Sequence, residues 1–192
     1  RRGRRFDSVI AHINMKEINI TLPDNSVRTY SAGITPQEIA DSIGPGLARA
    51  VLVARIDGVL RDLNHKIFKD SSLELFTGET PEGHDTLLHS TAHLMAQAVK
   101  VLFPDAKVTI GPTIENGFYY DFDLEESFSE NTLENIEKKM RELSKQNQEI
   151  VRYEVNADEA CQIFKNLGES YKVEIIKQIK PDDKISMNKQ SD

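Results

Sequence analysis

The sequence predicts a mixed α+β chain made of two units in series. Three observations carry this. Ile18, Ile20 and Leu22 alternate with polar residues, the two-residue period of a half-buried strand. Leu88, Ala92, Met95, Val99 and Leu102 recur instead at helical spacing. Between the two patterns lies TGETPEG, residues 77–83, whose two glycines and one proline have the make-up of a short linker. The expected division is an N-terminal extension over 1–15, a compact unit over 16–77, a linker over 78–83 and a second unit over 84–192.

The first unit reads as a small β-grasp arrangement, in the order β-β-α-β-β. Pro23-Asp24-Asn25-Ser26 is a turn cluster, and Val27 to Tyr30 returns as the second strand of a hairpin. Thr35 is a good N-cap, Pro36 suits the first helical position, and Glu38 completes a capping box. Ile39 and Ile43 give that helix its apolar face, and Gly44-Pro45 stops it. Ala50 to Ile56 is apolar and β-branched, as a central strand requires. Asp57-Gly58 marks a turn, an irregular stretch follows with Leu60 and Leu63, and Leu73 to Phe76 closes the unit as its last strand.

The second unit opens with a helix over 84–103, with Asp85 as its cap and with Leu87, Leu94 and Ala98 widening its apolar face. Val108 to Asp123 reads as a hairpin turning at Asn116-Gly117, a dipeptide that tolerates positive φ. Residues 130–148 form a polar helix with Leu133, Ile136, Met140 and Leu143 inward, and with i,i+4 pairs Glu134/Lys138 and Glu137/Arg141 outward. Ile150 to Val155 is a strand. Asn156 and Glu159 start a helix that stops at Gly168. Tyr171 to Ile179 is expected as a strand with Val173, Ile175 and Ile179 on one face, and Pro181 to Asp192 as a polar tail without a stabilising element.

Bulk composition narrows the function. At 39% hydrophobic and 29% charged residues, the chain is that of a globular protein. No apolar run approaches the roughly 20 residues of a membrane span, so no membrane partner is expected. Cys161 is the single cysteine, which excludes an internal disulfide and suits a reducing, cytoplasmic setting. The net charge of −7 is uneven: four arginines and Asp7 give residues 1–15 a net +3, leaving −10 on the rest. Bulk charge therefore excludes nonspecific nucleic-acid binding by the body. The basic start reads as an appendage before Met15 rather than as an RNA-binding arm.

His89 and His93 carry the chemistry. Their i,i+4 spacing puts both imidazoles on one helix face, one turn apart. Such a pair can move protons near neutral pH or supply half of a metal site. As a metal site it is incomplete, with Cys161 the one further candidate ligand. There is no H-E-x-x-H, since position 90 is Ser, and no glycine-rich phosphate loop.

GPTIENGFYYDFD (Gly111–Asp123), following HSTAHLMAQAV (His89–Val99), resembles the N-terminal editing region of the threonyl-tRNA synthetase family. The β-grasp unit ahead of it resembles the TGS domain that opens those enzymes. Ile18 to Leu22 with Pro23-Asp24, Ala54 to Asp57, and Tyr171-Lys172-Val173-Glu174 support the likeness, which covers residues 16–192. The resemblance implies a site that hydrolyses serine wrongly attached to threonine tRNA. His89, His93 and Lys172 would be its catalytic residues, and Tyr120 would line the substrate pocket, with no metal bound in this part. The family continues with a Cys-Arg-Gly-Pro-His segment, a class II core and an anticodon-binding domain. The expectation is thus an N-terminal fragment with an incomplete α+β editing domain. It is expected to be inactive by itself and to partner tRNA(Thr) and the rest of the synthetase in a homodimer. ATP, Mg and Zn are expected only in the missing core. Two other readings stand: a non-catalytic TGS-type regulatory or RNA-binding module, and an unrelated metal-binding protein using His89, His93 and Cys161.

Overall fold

The computed structural model describes residues 16–109, 111–115, 117–125, 127–146, 148, 150–180 and 184–190. The basic extension and Asn116 of the expected turn lie outside them. The chain parts into two compact units between Thr86 and Leu87.

In the first unit, β1 (Glu17–Thr21) and β2 (Val27–Ser31) form the expected hairpin, with Ile18 opposite Tyr30 and Ile20 opposite Arg28. Its turn is locked by Asp24, whose carboxylate accepts from the Ser26 amide at 2.9 Å and hydroxyl at 2.6 Å. Asn25 takes φ 63°, a left-handed conformation that Asn tolerates better than most residues. Helix α1 (Pro36–Ile43) starts with both halves of the capping box. The Glu38 amide donates to Thr35 Oγ1 at 3.3 Å, and the Thr35 amide donates to Glu38 Oε2 at 2.8 Å.

Gly44-Pro45 ends α1 and at once begins α2 (Pro45–Ala50), a helix the sequence reading did not contain. Pro45 lacks an amide hydrogen, which a first helical turn does not need. The sheet is completed by β3 (Val51–Ile56), β4 (Val59–Arg61) and β5 (Ser71–Thr77), in the order β2-β1-β5-β3-β4. β4 pairs antiparallel to β3 across Asp57-Gly58, both at positive φ, so the stretch expected as irregular begins with a short strand. β1 runs parallel to β5. Ile18, Ile20, Ile39, Ala54, Ile56, Ile67 and Leu73 make the core between sheet and α1. Each fully buried aliphatic side chain there contributes about 1.5–3 kcal/mol of transfer free energy.

Helix α3 (Pro81–Leu102) begins three residues before the expected start. Pro81 suits a first helical position, and Thr80, not Asp85, supplies the cap: the Gly83 amide donates to its hydroxyl at 3.2 Å. Leu87, expected inward, is exposed, while Ala92, Ala96, Ala98 and Val99 are buried.

The expected hairpin is present in the second unit as two short ladders. β6 (Lys107–Val108) pairs with β9 (Phe122–Asp123), and β7 (Thr113–Ile114) pairs with β8 (Gly117–Phe118). Helix α4 (Glu130–Lys145) is capped by Ser129 and buries Ile136 and Leu143. Leu133, expected inward, is 55% exposed. The Glu137–Arg141 pair forms at 2.7 Å on the outer face. β10 (Ile150–Val155) leads to α5 (Ala157–Asn166), capped by Asn156 and ended by Gly168 at φ 73°.

Two expectations fail here. Residues 170–176 are a helix, α6 (Ser170–Ile176), not a strand. Val173 and Ile176 are the buried residues, three apart, whereas Ile175 is exposed; the alternation read at 173, 175 and 179 matched two periods at once. The tail is not structureless either. β11 (Ile185–Gln190) pairs antiparallel with all of β10 and buries Met187 against Val155, Ala160 and Ile176.

Candidate functional site

On α3, His89, His93 and Gln97 recur every four residues and so share one face. The two rings meet edge to face, with centroids 4.6 Å apart and planes at 84°. Their Nε2 atoms lie 3.0 Å apart, within hydrogen-bond distance, so one ring donates and the other accepts. Both residues retain exposed surface. His93 nonetheless titrates below the ordinary histidine range. Partial loss of water around the inner ring is the main cause, with the His89 ring and the Lys172 ammonium adding to it. A neutral imidazole beside a second imidazole is equipped to accept a proton from a bound water or hydroxyl.

One turn beyond His93, the Gln97 side chain donates from Nε2 to Gln148 Oε1 at 3.1 Å. Its Oε1 is buried without a hydrogen-bond partner among the described residues. Lys100 follows on the same helix and is fully engaged. Its Nζ donates to the Pro104 carbonyl at 3.0 Å and the Ala106 carbonyl at 2.9 Å, and pairs with Glu169 Oε1 at 3.1 Å.

Glu169 stands where α5 ends and α6 begins. Its side chain is only 8% exposed, and its second oxygen accepts from the Val108 amide at 3.4 Å. Lys172 lies one turn into α6, with Nζ 5.0 Å from the centre of the Phe164 ring. Burial pulls the Lys172 ammonium below the ordinary lysine value; Glu169 opposes that pull and Lys100 adds to it.

Tyr120 approaches the same group of charges from the hairpin. It stacks on Phe122 at 5.0 Å, and burial, then Glu169, raises its phenol above the ordinary value. Its neighbour Tyr119 is 52% exposed, as expected of adjacent residues pointing apart. Gly111 is required here, because a Cβ at that position would run into the Tyr120 ring. A Gly-Pro turn signal alone does not reveal that need.

Electrostatically, the Lys172 ammonium lowers His93, and Glu169 acts on both Tyr120 and Lys172. Cys161 does not join them; it packs with the cluster of Val155, Ala160 and Met187. No group of three or more His, Cys, Asp or Glu side chains converges on a metal-sized position among the described residues. The sequence reading missed Lys100 and Glu169. Lys100 is three helical turns from His89, a spacing that returns to the same face. Glu169 follows a glycine stop in a polar stretch, and nothing there signals a buried carboxylate.

Residues 18–77 match the TGS domain model, so the first unit is a TGS domain, a β-grasp fold. Over most of its length the chain is also similar to curated threonine–tRNA ligases. It is 53% identical over 173 residues to the threonine–tRNA ligase of Alkalilimnicola ehrlichii, covering 90% of this chain and 27% of that protein. It is 51% identical over 178 residues to that of Citrifermentans bemidjiense, covering 93% and 28%. It is 50% identical over 170 residues to that of Burkholderia multivorans, covering 88% and 27%. The chain therefore spans little more than a quarter of the length of the curated relatives it matches. Among the described residues, no helix is long and apolar enough to cross a membrane.

Proposed function

We propose that this chain is the N-terminal region of a threonine–tRNA ligase. Its TGS domain associates with tRNA, and its second unit supplies part of a site that hydrolyses seryl-tRNA(Thr). The observation that supports it most is the His89–His93 contact, 3.0 Å between Nε2 atoms, under the influence of Lys172 in a chain half identical to those ligases.

The chemistry explains why such a site is needed. Serine differs from threonine by one methyl, worth about 1–3 kcal/mol of discrimination, so a binding pocket alone passes many errors. Ester hydrolysis needs a placed water, a proton acceptor and relief of the developing negative charge. In this reading the histidine pair places the water or the terminal ribose and accepts the proton. The Lys172 ammonium faces the developing charge, and Tyr120 walls the pocket. Aminoacylation, with its ATP and Mg, and the enzyme's Zn belong to the rest of a cytoplasmic, homodimeric synthetase.

The test is deacylation of seryl-tRNA(Thr) by the product of the complete reading frame. His89→Ala, His93→Ala and Lys172→Ala should each slow it by about 10²–10⁴-fold while threonine charging persists. Undiminished hydrolysis in both histidine variants would sink the proposal. The 192-residue chain alone should show little or no turnover.

A further inference from the structure

We propose that Tyr171 is a positioning residue for Lys172: its hydrogen bond to Asp123 is a strut that holds the first turn of α6 on the hairpin that carries Tyr120. The inference deepens the editing reading, on which its functional meaning rests.

Helix α6 has little of its own to hold its start. It is seven residues long, follows Gly168 at φ 73°, and its N-cap residue, Glu169, gives the first turn no side-chain hydrogen bond. A helix this short is marginal without outside contacts, and helix ends fray first. Val173 and Ile176 anchor its inner side, but Ser170, Tyr171 and Lys172, the residues before them, bury no side chain fully. The backbone of that turn decides where the Lys172 ammonium can reach.

Two hydrogen bonds fasten the turn to one ladder. In the β6–β9 pair, Val108 lies opposite Phe122 and Lys107 opposite Asp123. On the first rung the Val108 amide donates to the Glu169 carboxylate at 3.4 Å, and on the next the Tyr171 hydroxyl donates to Asp123 Oδ2 at 3.0 Å. Each end of the second bond stands one residue from a part of the candidate site. Tyr171 precedes Lys172, and Asp123 follows Phe122, whose ring stacks on Tyr120 at 5.0 Å. The tip of Lys172 is placed separately, with Nζ 5.0 Å from the centre of the Phe164 ring on α5. Lys172 is thus held at its tip by α5 and at its backbone by the strut. Tyr171 is 36% exposed, and water competes for both partners of such a bond, so it adds little to stability. Its place between the ammonium and the aromatic wall matters for rate instead, since a small displacement of a reacting group is costly even when the fold survives.

A double-variant cycle on seryl-tRNA(Thr) hydrolysis, in the product of the complete reading frame, tests the strut. Tyr171→Phe and Asp123→Ala should each lower kcat by about 10–100-fold and leave KM within about twofold. The double variant should be no slower than the slower single one, because both changes remove the same bond. Asp123→Asn keeps an acceptor for the phenol and should recover most of what Asp123→Ala loses. Threonine charging should persist in every variant. Unchanged kcat in Tyr171→Phe, or losses that multiply in the double variant, overturns the proposal while loss of hydrolysis in His89→Ala upholds the editing reading. Hydrogen exchange in the 192-residue chain reads the strut without any substrate. Tyr171→Phe should speed exchange by about tenfold across residues 170–176 and leave α4 unmoved. Exchange unmoved over 170–176, or raised throughout the chain, refutes the strut. A native enzyme that fails to hydrolyse the ester sinks the editing reading instead, and the exchange result then decides the strut by itself.

Discussion

His89 and His93 meet through their Nε2 atoms at 3.0 Å, so the two rings cannot both be protonated without setting two N–H donors against each other. His93 titrates below the ordinary histidine value, chiefly because of burial, with the His89 ring and the Lys172 ammonium adding to it.

A pH dependence of stability follows. His93 sits below its ordinary value of 6.5 in the folded chain, so the unfolded chain binds more protons as pH drops past that point. The stability linked to His93 is complete above about pH 6.5 and is lost as pH falls through the folded-state value. Urea midpoints measured between about pH 7.5 and 5.5 should fall more steeply for the native chain than for His93→Gln. Equal slopes would show that the ring is not desolvated as described.

The first helix offers a local test of how this fold is encoded. Thr35 and Glu38 exchange hydrogen bonds across the start of α1, at 3.3 and 2.8 Å. Thr35→Ala removes the cap and leaves the Glu38 amide without its partner. The expected loss is about 1 kcal/mol, within a range of about 0.5–2, measured by urea unfolding. Thr35→Ser should recover most of it. A Thr35→Ala chain as stable as the native one would mean that water satisfies the helix end equally well.

Gly111 links the hairpin to the candidate site. A methyl there would collide with the Tyr120 ring, which stacks on Phe122 at 5.0 Å. Gly111→Ala should push Tyr120 off that stack and destabilise the second unit by about 1–3 kcal/mol, the usual scale of overpacking. Near-ultraviolet circular dichroism from the tyrosines should change with it. Tyr120→Ala in the same chain should relieve much of the added penalty, because the collision partner is gone. Additive losses in the double variant would rule out that contact as the cause.

What could be read from the sequence was local chemistry with one consistent signal. The β1–β2 hairpin, the Thr35 cap and the face shared by His89 and His93 each rest on spacing within a few residues, and each is present. What escaped depends on partners distant in sequence. The α6 segment reads as a strand because Val173, Ile175 and Ile179 fit an alternating pattern, while in the fold Val173 and Ile176 are buried on a helix. Glu169 gains its place from Lys100 and Val108, at sequence separations no periodicity reports. Extra elements such as α2 needed only Pro45 at a helix start, a signal that also reads as a stop.

The last strand provides the sharpest contrast between composition and structure. Residues 184–190 look polar, yet β11 pairs residue by residue with β10, from Ile185 opposite Val155 to Gln190 opposite Ile150. Strand alternation then turns Met187 inward, where it is 9% exposed, and leaves Asn188 outward. Met187→Ala should open a cavity beside Val155, Ala160 and Ile176 and cost about 2–4 kcal/mol. Asn188→Ala, one residue along, should stay within about 0.5 kcal/mol, as exposed substitutions do. Thermal unfolding of the two variants decides the register. A loss at Asn188 with none at Met187 would place the strand one residue out, because a single-residue slip exchanges the two faces.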